Sequence, residues 1–157
     1  MITTNANQIA DELRSYRTDI ERKLENMVRG FITELAVTAI DATPIGDSQV
    51  YEKLYKLRYM RTGLQPIEGL AKGAWVATTN PAIPFLEHYG ASSGTRALSS
   101  VSAGLTSFKL GQNVYLGNST PYIGMLENGY SSQAPEGISK IVMAVYKPDL
   151  VRYFREG

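Results

Sequence analysis

The sequence predicts an α+β fold, with a long N-terminal helix and a C-terminal helix packed on a small antiparallel β-sheet. Three observations predict it. Apolar residues recur at three- and four-residue steps over the first forty positions, the period of one helical face. Short runs rich in aromatic and β-branched residues fill the middle of the chain. A second helical stripe follows a Pro- and Gly-bearing loop near the end. Helix, strands, short helix, helix is the order of an α+β domain. With no internal repeat and no linker, 1–157 reads as one domain.

The first helix spans about 5–40. Ile9, Leu13, Tyr16, Ile20, Leu24, Met27, Phe31 and Leu35 form its apolar stripe, and Asp11, Arg14, Glu21, Arg22 and Glu25 fill the other face. A helix this long needs a partner for its stripe. Pro44 and Gly46 end it. Gln49–Gly63 is basic and aromatic, with Tyr51, Tyr55 and Tyr59 spaced by four and Lys53, Lys56, Arg58 and Arg61 between them. Two readings stay open there: an amphipathic helix or hairpin packed on its own domain, or a nucleic-acid contact built on charge and stacking. Gly69–Pro81 reads as a strand around Leu70, Trp75 and Val76, and PFLEHYG as a brief helical turn. Ser92–Gln112 reads as a loop followed by a strand, and Phe108–Asn118 as a hairpin whose last strand is NVYLGN.

The stretch NSTPYIGMLENGYSSQAPEG is the most specific in the chain. Ser119 or Thr120 is the expected N-cap of a short helix, with Pro121 at its first position. Tyr122, Met125 and Leu126 share one apolar face, and Gly129 stands where a left-handed C-cap belongs. Pro135 and Glu136 are expected to open the last helix. Ile138, Ile141, Val142, Val145 and Tyr146 form its stripe, and Pro148 ends or kinks it. Trp75, Pro121, Tyr122, Leu126, Gly129 and Pro135 are therefore the expected structural core.

Composition narrows the function. Sixteen basic and fifteen acidic side chains leave a net charge of +1, too balanced for a protein whose main task is to grip a phosphate backbone. The absence of cysteine excludes disulfides and thiolate chemistry, and suits a reducing compartment. No run approaches the roughly 18 apolar residues of a membrane span. The first residues lack the basic-then-apolar order of a signal peptide, so a soluble intracellular protein is expected. From Ala97 to Leu126 the only formal charge is Lys109. A polar but uncharged segment fits either a Ser/Gly-rich loop or a surface covered by another subunit.

Catalytic candidates are scarce. His88 is the only histidine, and its neighbour Glu87 points away from it on a helix or strand. GLAKGAW lacks the Gly-Lys-Ser/Thr ending of a phosphate loop. The carboxylates are scattered, with no pair at acid–base spacing. No catalytic residue, metal site or cofactor is expected, and the chain is not expected to be an enzyme.

Taken in order, ATPIG, GLAKGAW, PYIGMLENG and SSQAPEG resemble the motifs of the tail-completion, or neck, proteins of tailed bacteriophages, including the minor tail protein Z family of lambda-like phages. The resemblance runs from about Gln8 to Tyr146. The Pro-Tyr…Leu-Glu-x-Gly and Gln-Ala-Pro pair is its most specific part. The chain departs from the family pattern in two places: Asp47–Gly69 intervenes between the Thr-Pro motif and the Trp strand as a basic, Tyr-rich insertion of about 47–68, and Ile123 stands where the family carries Ala.

The resemblance implies a structural virion protein, assembled in the host cytoplasm and built into a homo-oligomeric, six-fold ring around the DNA path. Its partners would be itself and the tail terminator, tail tube and head-completion proteins, with DNA only as passing cargo and no membrane. A tail terminator or head-completion protein of the same junction is the alternative, and a nucleic-acid-binding module a third reading. On this reading Glu127, Asn128, Ser131, Ser132 and Gln133 are candidate subunit contacts. Phe108, Leu110 and Tyr115 join them, on a hairpin available for edge-to-edge pairing. Lys53, Lys56, Arg58, Arg61 and Lys72 would face the lumen or a neighbouring ring.

Overall fold

A 39-residue helix, α1 (Thr4–Ala42), carries the rest of the fold at its C-terminal end. The computed structural model describes residues 4–46, 69–84 and 94–156. At 1.5 Å per residue α1 is about 58 Å long. Ion pairs one turn apart support its exposed first half, Arg14–Asp11 at 2.8 Å, Arg17–Glu21 at 2.7 Å and Arg22–Asp19 at 2.9 Å. Such exposed pairs are screened by solvent and add only slightly to the helix.

The elements that follow are short: α2 (Leu70–Gly73), β1 (Trp75–Thr78), α3 (Thr95–Leu105), β2 (Tyr115–Asn118), α4 (Ile123–Glu127) and α5 (Ile138–Glu156). β1 and β2 form a two-stranded antiparallel sheet, Trp75 opposite Asn118 and Thr78 opposite Tyr115. The predicted fold class is thus observed.

Two core clusters flank the sheet's inner face. One gathers Ala39, Ile40, Ala71, Trp75, Ala97, Leu126, Ala134 and Ile138. The other gathers Ala36, Ala77, Val101 and Leu105. Alanine dominates both, and this lets helices approach the sheet closely. α3 lies against β1 at backbone distance, since a Cβ on Gly104 would fall 1.8 Å from the Ala77 carbonyl oxygen.

Several expectations are corrected. Leu70–Gly73 is a turn of helix, so the strand begins only at Trp75. Thr95–Leu105, expected as loop and strand, is helical, because Ala97, Val101 and Leu105 at four-residue spacing are buried beneath a Ser-rich exposed face. The expected hairpin is absent. Lys109–Gln112 closes a turn with Gly111 at φ 86°, and β2 pairs with distant β1 instead of its neighbour in sequence. The short helix starts at Ile123, after Thr120 has turned its hydroxyl to Asn118 Oδ1 at 2.8 Å.

Further on, Pro135–Gly137 lies in a turn, and α5 starts at Ile138. Pro148 neither ends nor leaves that helix: its fixed φ is helical, and it forfeits one hydrogen bond to the exposed Ala144. The Gln49–Gly63 segment, the basic residues Lys53, Lys56, Arg58 and Arg61, and His88 lie outside the described residues.

Candidate functional site

The four motifs, separated along the chain, close on one another in a circuit. The indole Nε1 of Trp75, in GLAKGAW, donates to Thr43 Oγ1 in ATPIG at 2.8 Å. The Thr43 hydroxyl in turn donates to the Ala39 carbonyl at 2.6 Å, so both groups are satisfied although buried. The Ala71 amide donates to the Tyr122 hydroxyl at 3.1 Å, which joins GLAKGAW to PYIGMLENG. Asn118 works beside it, donating to the Ala71 carbonyl at 2.6 Å and accepting from the Thr120 amide at 3.1 Å.

PYIGMLENG meets SSQAPEG through two glycines, and its carboxylate reaches past that loop to α5. α4 ends in a Schellman motif: the Tyr130 amide reaches the Met125 carbonyl at 3.2 Å, and the Gly129 amide the Leu126 carbonyl at 3.1 Å. Gly129, at φ 76°, faces Pro135 so closely that a Cβ would fall 2.1 Å from its carbonyl oxygen. Gly137, at φ 90°, abuts the Glu127 carbonyl in the same way, at 2.2 Å. The Glu127 carboxylate accepts from the Ser139 amide at 3.1 Å, in the first turn of α5. An anion there answers the unpaired amides and the positive end of the helix dipole.

Gln133 closes the circuit. Its Nε2 donates to the Ile45 carbonyl at 3.1 Å, and its Oε1 accepts from the Ile45 amide at 3.4 Å. The side-chain amide thereby imitates a strand partner and returns the last loop to ATPIG.

The expected residues divide accordingly. Trp75 and Leu126 are buried in the first core cluster, Gly129 is half-buried at the end of α4, and Tyr122 is half-buried against that cluster. Pro121 and Pro135 are exposed and are not core side chains; Pro135 acts through its carbonyl at Gly129. Glu127 and Gln133, expected as contacts to another subunit, have partners within the chain, as does Asn128, whose Nδ2 donates to the Gly124 carbonyl at 2.6 Å. Ser131 accepts from the Gln133 amide at 3.3 Å, and Ser132 is exposed. Phe108 is buried, 3% exposed, because its segment is a turn continuing from the end of α3, its amide on the Leu105 carbonyl, and not a hairpin. Leu110 is exposed, while Tyr115 and Lys72 are half-buried.

Sequence reasoning missed Arg29. It projects from α1 to the end of α3, donating from Nε to the Leu105 carbonyl at 3.0 Å and from one terminal nitrogen to the Phe108 carbonyl at 2.8 Å. Glu25, itself 12% exposed, pairs with both Arg29 and Lys109. A guanidinium over the unpaired carbonyls of a helix end is the favourable sign for the dipole. Nothing in the spacing of α1 separates Arg29 from Arg14 or Arg22; the signal lies in the end of α3, whose helical stripe is faint in the sequence.

The arrangement is suited to holding elements together. Among the described residues no group of His, Asp or Glu stands close enough to hold a metal ion, and no helix is long and apolar enough to cross a membrane. Compared with known proteins, the chain matches no family model, no curated protein and no solved structure.

Proposed function

We propose that this chain is a structural protein of a tailed-bacteriophage virion, acting at the neck to complete the tail or join it to the head as part of a ring around the DNA path. The observation that carries the reading is the circuit of motifs. Thr43–Trp75, Ala71–Tyr122, Gly129–Pro135 and Gln133–Ile45 link the four motifs of the resemblance. Residues of that kind specify a scaffold, and a scaffold with a near-neutral charge suits a passage that lets DNA through without gripping it.

The chemistry of the described residues supports the same reading. The side chains of the circuit are engaged with backbone and with each other, and they hold the angle between α4 and α5. Surface outside the circuit, such as Leu110 and Ser132, remains for neighbouring subunits.

Electron microscopy of particles made without this gene tests the reading. Full heads beside detached, finished tails place the protein at the junction. Overlong or unfinished tails move it to termination of the tube. Normal infectious particles defeat the structural role, and binding to DNA as a function of salt then becomes the measurement of interest.

A further inference from the structure

The apolar stripe of α1 continues beyond the part of the helix that the body covers. α5 covers its C-terminal end: Phe31 meets Tyr146 edge-on with ring centroids 5.7 Å apart, and Thr38 Oγ1 shares a 3.0 Å hydrogen bond with the Tyr146 hydroxyl. Toward the N-terminus the stripe runs on through Ile9, Leu13, Tyr16, Ile20, Leu24 and Met27, each between 40% and 68% exposed. Side-chain bonds in this half run along the helix itself, Gln8 to Glu12, Arg17 to Glu21 and Arg22 to Asp19.

The stripe has an eleven-residue repeat: Ile9, Ile20 and Phe31; Leu13, Leu24 and Leu35; Tyr16, Met27 and Thr38. That period is about 3.67 residues per turn, so the apolar line drifts slowly around the helix, in the sense of a right-handed supercoil. A slowly drifting line of large side chains is a surface for another helix.

We propose that a second copy of this chain covers the stripe, the two α1 helices packing antiparallel about a two-fold axis level with Thr18. This arrangement sets Ile9 opposite the second copy's Met27, Leu13 opposite Leu24, and Tyr16 opposite Ile20, each pair occurring twice. Charges along both edges agree with it. On one edge Arg17, which pairs with Glu21 of its own helix, also comes level with Glu21 of the second copy, and on the other Glu12 reaches Lys23. The helix dipoles oppose, which is the favourable sense. The contact runs about 27 Å along each helix, and the pair buries on the order of 1,000 Å², the size at which specific association begins. The pairing rests on α1 alone and holds whether or not the chain belongs to a virion.

The natural chain has no cysteine, so single introduced thiols report the geometry. Mixed L13C and L24C chains are expected to form a disulfide-linked pair on mild oxidation, while L13C alone does not link to itself. Sedimentation of the full chain at micromolar concentration is expected to give at least two chains per particle. Leu13→Glu with Leu24→Glu, both at exposed positions, is expected to halve that mass while the near-ultraviolet signal of Trp75 persists. Glu12→Lys is expected to weaken the pair and Lys23→Glu in the same chain to restore it. A wild-type chain that sediments singly overturns the proposal. So does a mass that the double Glu substitution leaves unchanged, or L13C linking to itself as readily as to L24C.

Discussion

Trp75 and Thr43 are joined by a 2.8 Å hydrogen bond from indole to hydroxyl, and both are buried. The bond ties the first residue of β1 to the end of α1. Thr43→Val preserves shape and leaves the indole N–H without a partner. The expected loss is about 1–3 kcal/mol in urea unfolding followed by Trp fluorescence. Thr43→Ser keeps the hydroxyl and is expected to recover most of it. Equal losses for the two variants would assign the effect to packing.

Two glycines in helices give opposite expectations for the same substitution. Gly30 on α1 has nothing within 4 Å of where a Cβ would stand. Gly30→Ala is expected to stabilise by about 0.5–1 kcal/mol through helix propensity. Gly104 on α3 would place its Cβ 1.8 Å from the Ala77 carbonyl oxygen. Gly104→Ala is expected to destabilise by about 1–3 kcal/mol despite the same gain in propensity, because α3 must lift from β1. Thermal unfolding of the pair checks both signs.

A similar contrast separates strain from collision among the left-handed glycines. Gly111, at φ 86°, has open space around it, whereas Gly129, at φ 76°, abuts Pro135. Gly111→Ala is expected to lose about 1–2 kcal/mol, the ordinary penalty of that backbone region. Gly129→Ala is expected to lose clearly more in the same urea titration, and to loosen α5, seen as faster amide exchange at Ile138–Val142.

Arg29 binds the end of α3 with a fork of donors. Arg29→Met removes these bonds and leaves the mostly covered Glu25 with Lys109 alone. The expected loss is about 2–3 kcal/mol. Arg29→Lys keeps the charge without the fork and is expected to restore less than half. Full recovery by Lys would reduce the interaction to charge.

Part of this fold was legible because burial and periodicity agree. α1 was readable from its stripe, β2 from NVYLGN, and the cap at Gly129 from a glycine following a short apolar face. α3 was not legible, since Ser and Gly have weak helix propensity and three small or medium apolar residues at four-residue steps make a faint stripe; burial against β1 overrode propensity. The burial of Phe108 and the tether from Gln133 to Ile45 were not legible for a related reason. Whether an aromatic is core or contact, and whether an amide faces a neighbour or Ile45, depends on pairings between residues far apart in sequence.

Those pairings also set a schedule. Gln133 meets Ile45 across 88 positions, and β1 finds its partner only after α3 has been made. Closing such long loops loses chain entropy before any contact compensates, so folding is slow relative to a helical bundle of the same length. During synthesis α1 is made before the elements that cover its C-terminal end, as a helix without its body. A ribosome-bound chain halted before Gln133 would hold Trp75, Tyr122 and both strands, yet lack the tether that fixes the last loop to the end of α1. The last loop is therefore fixed to the end of α1 late, after both strands have been made.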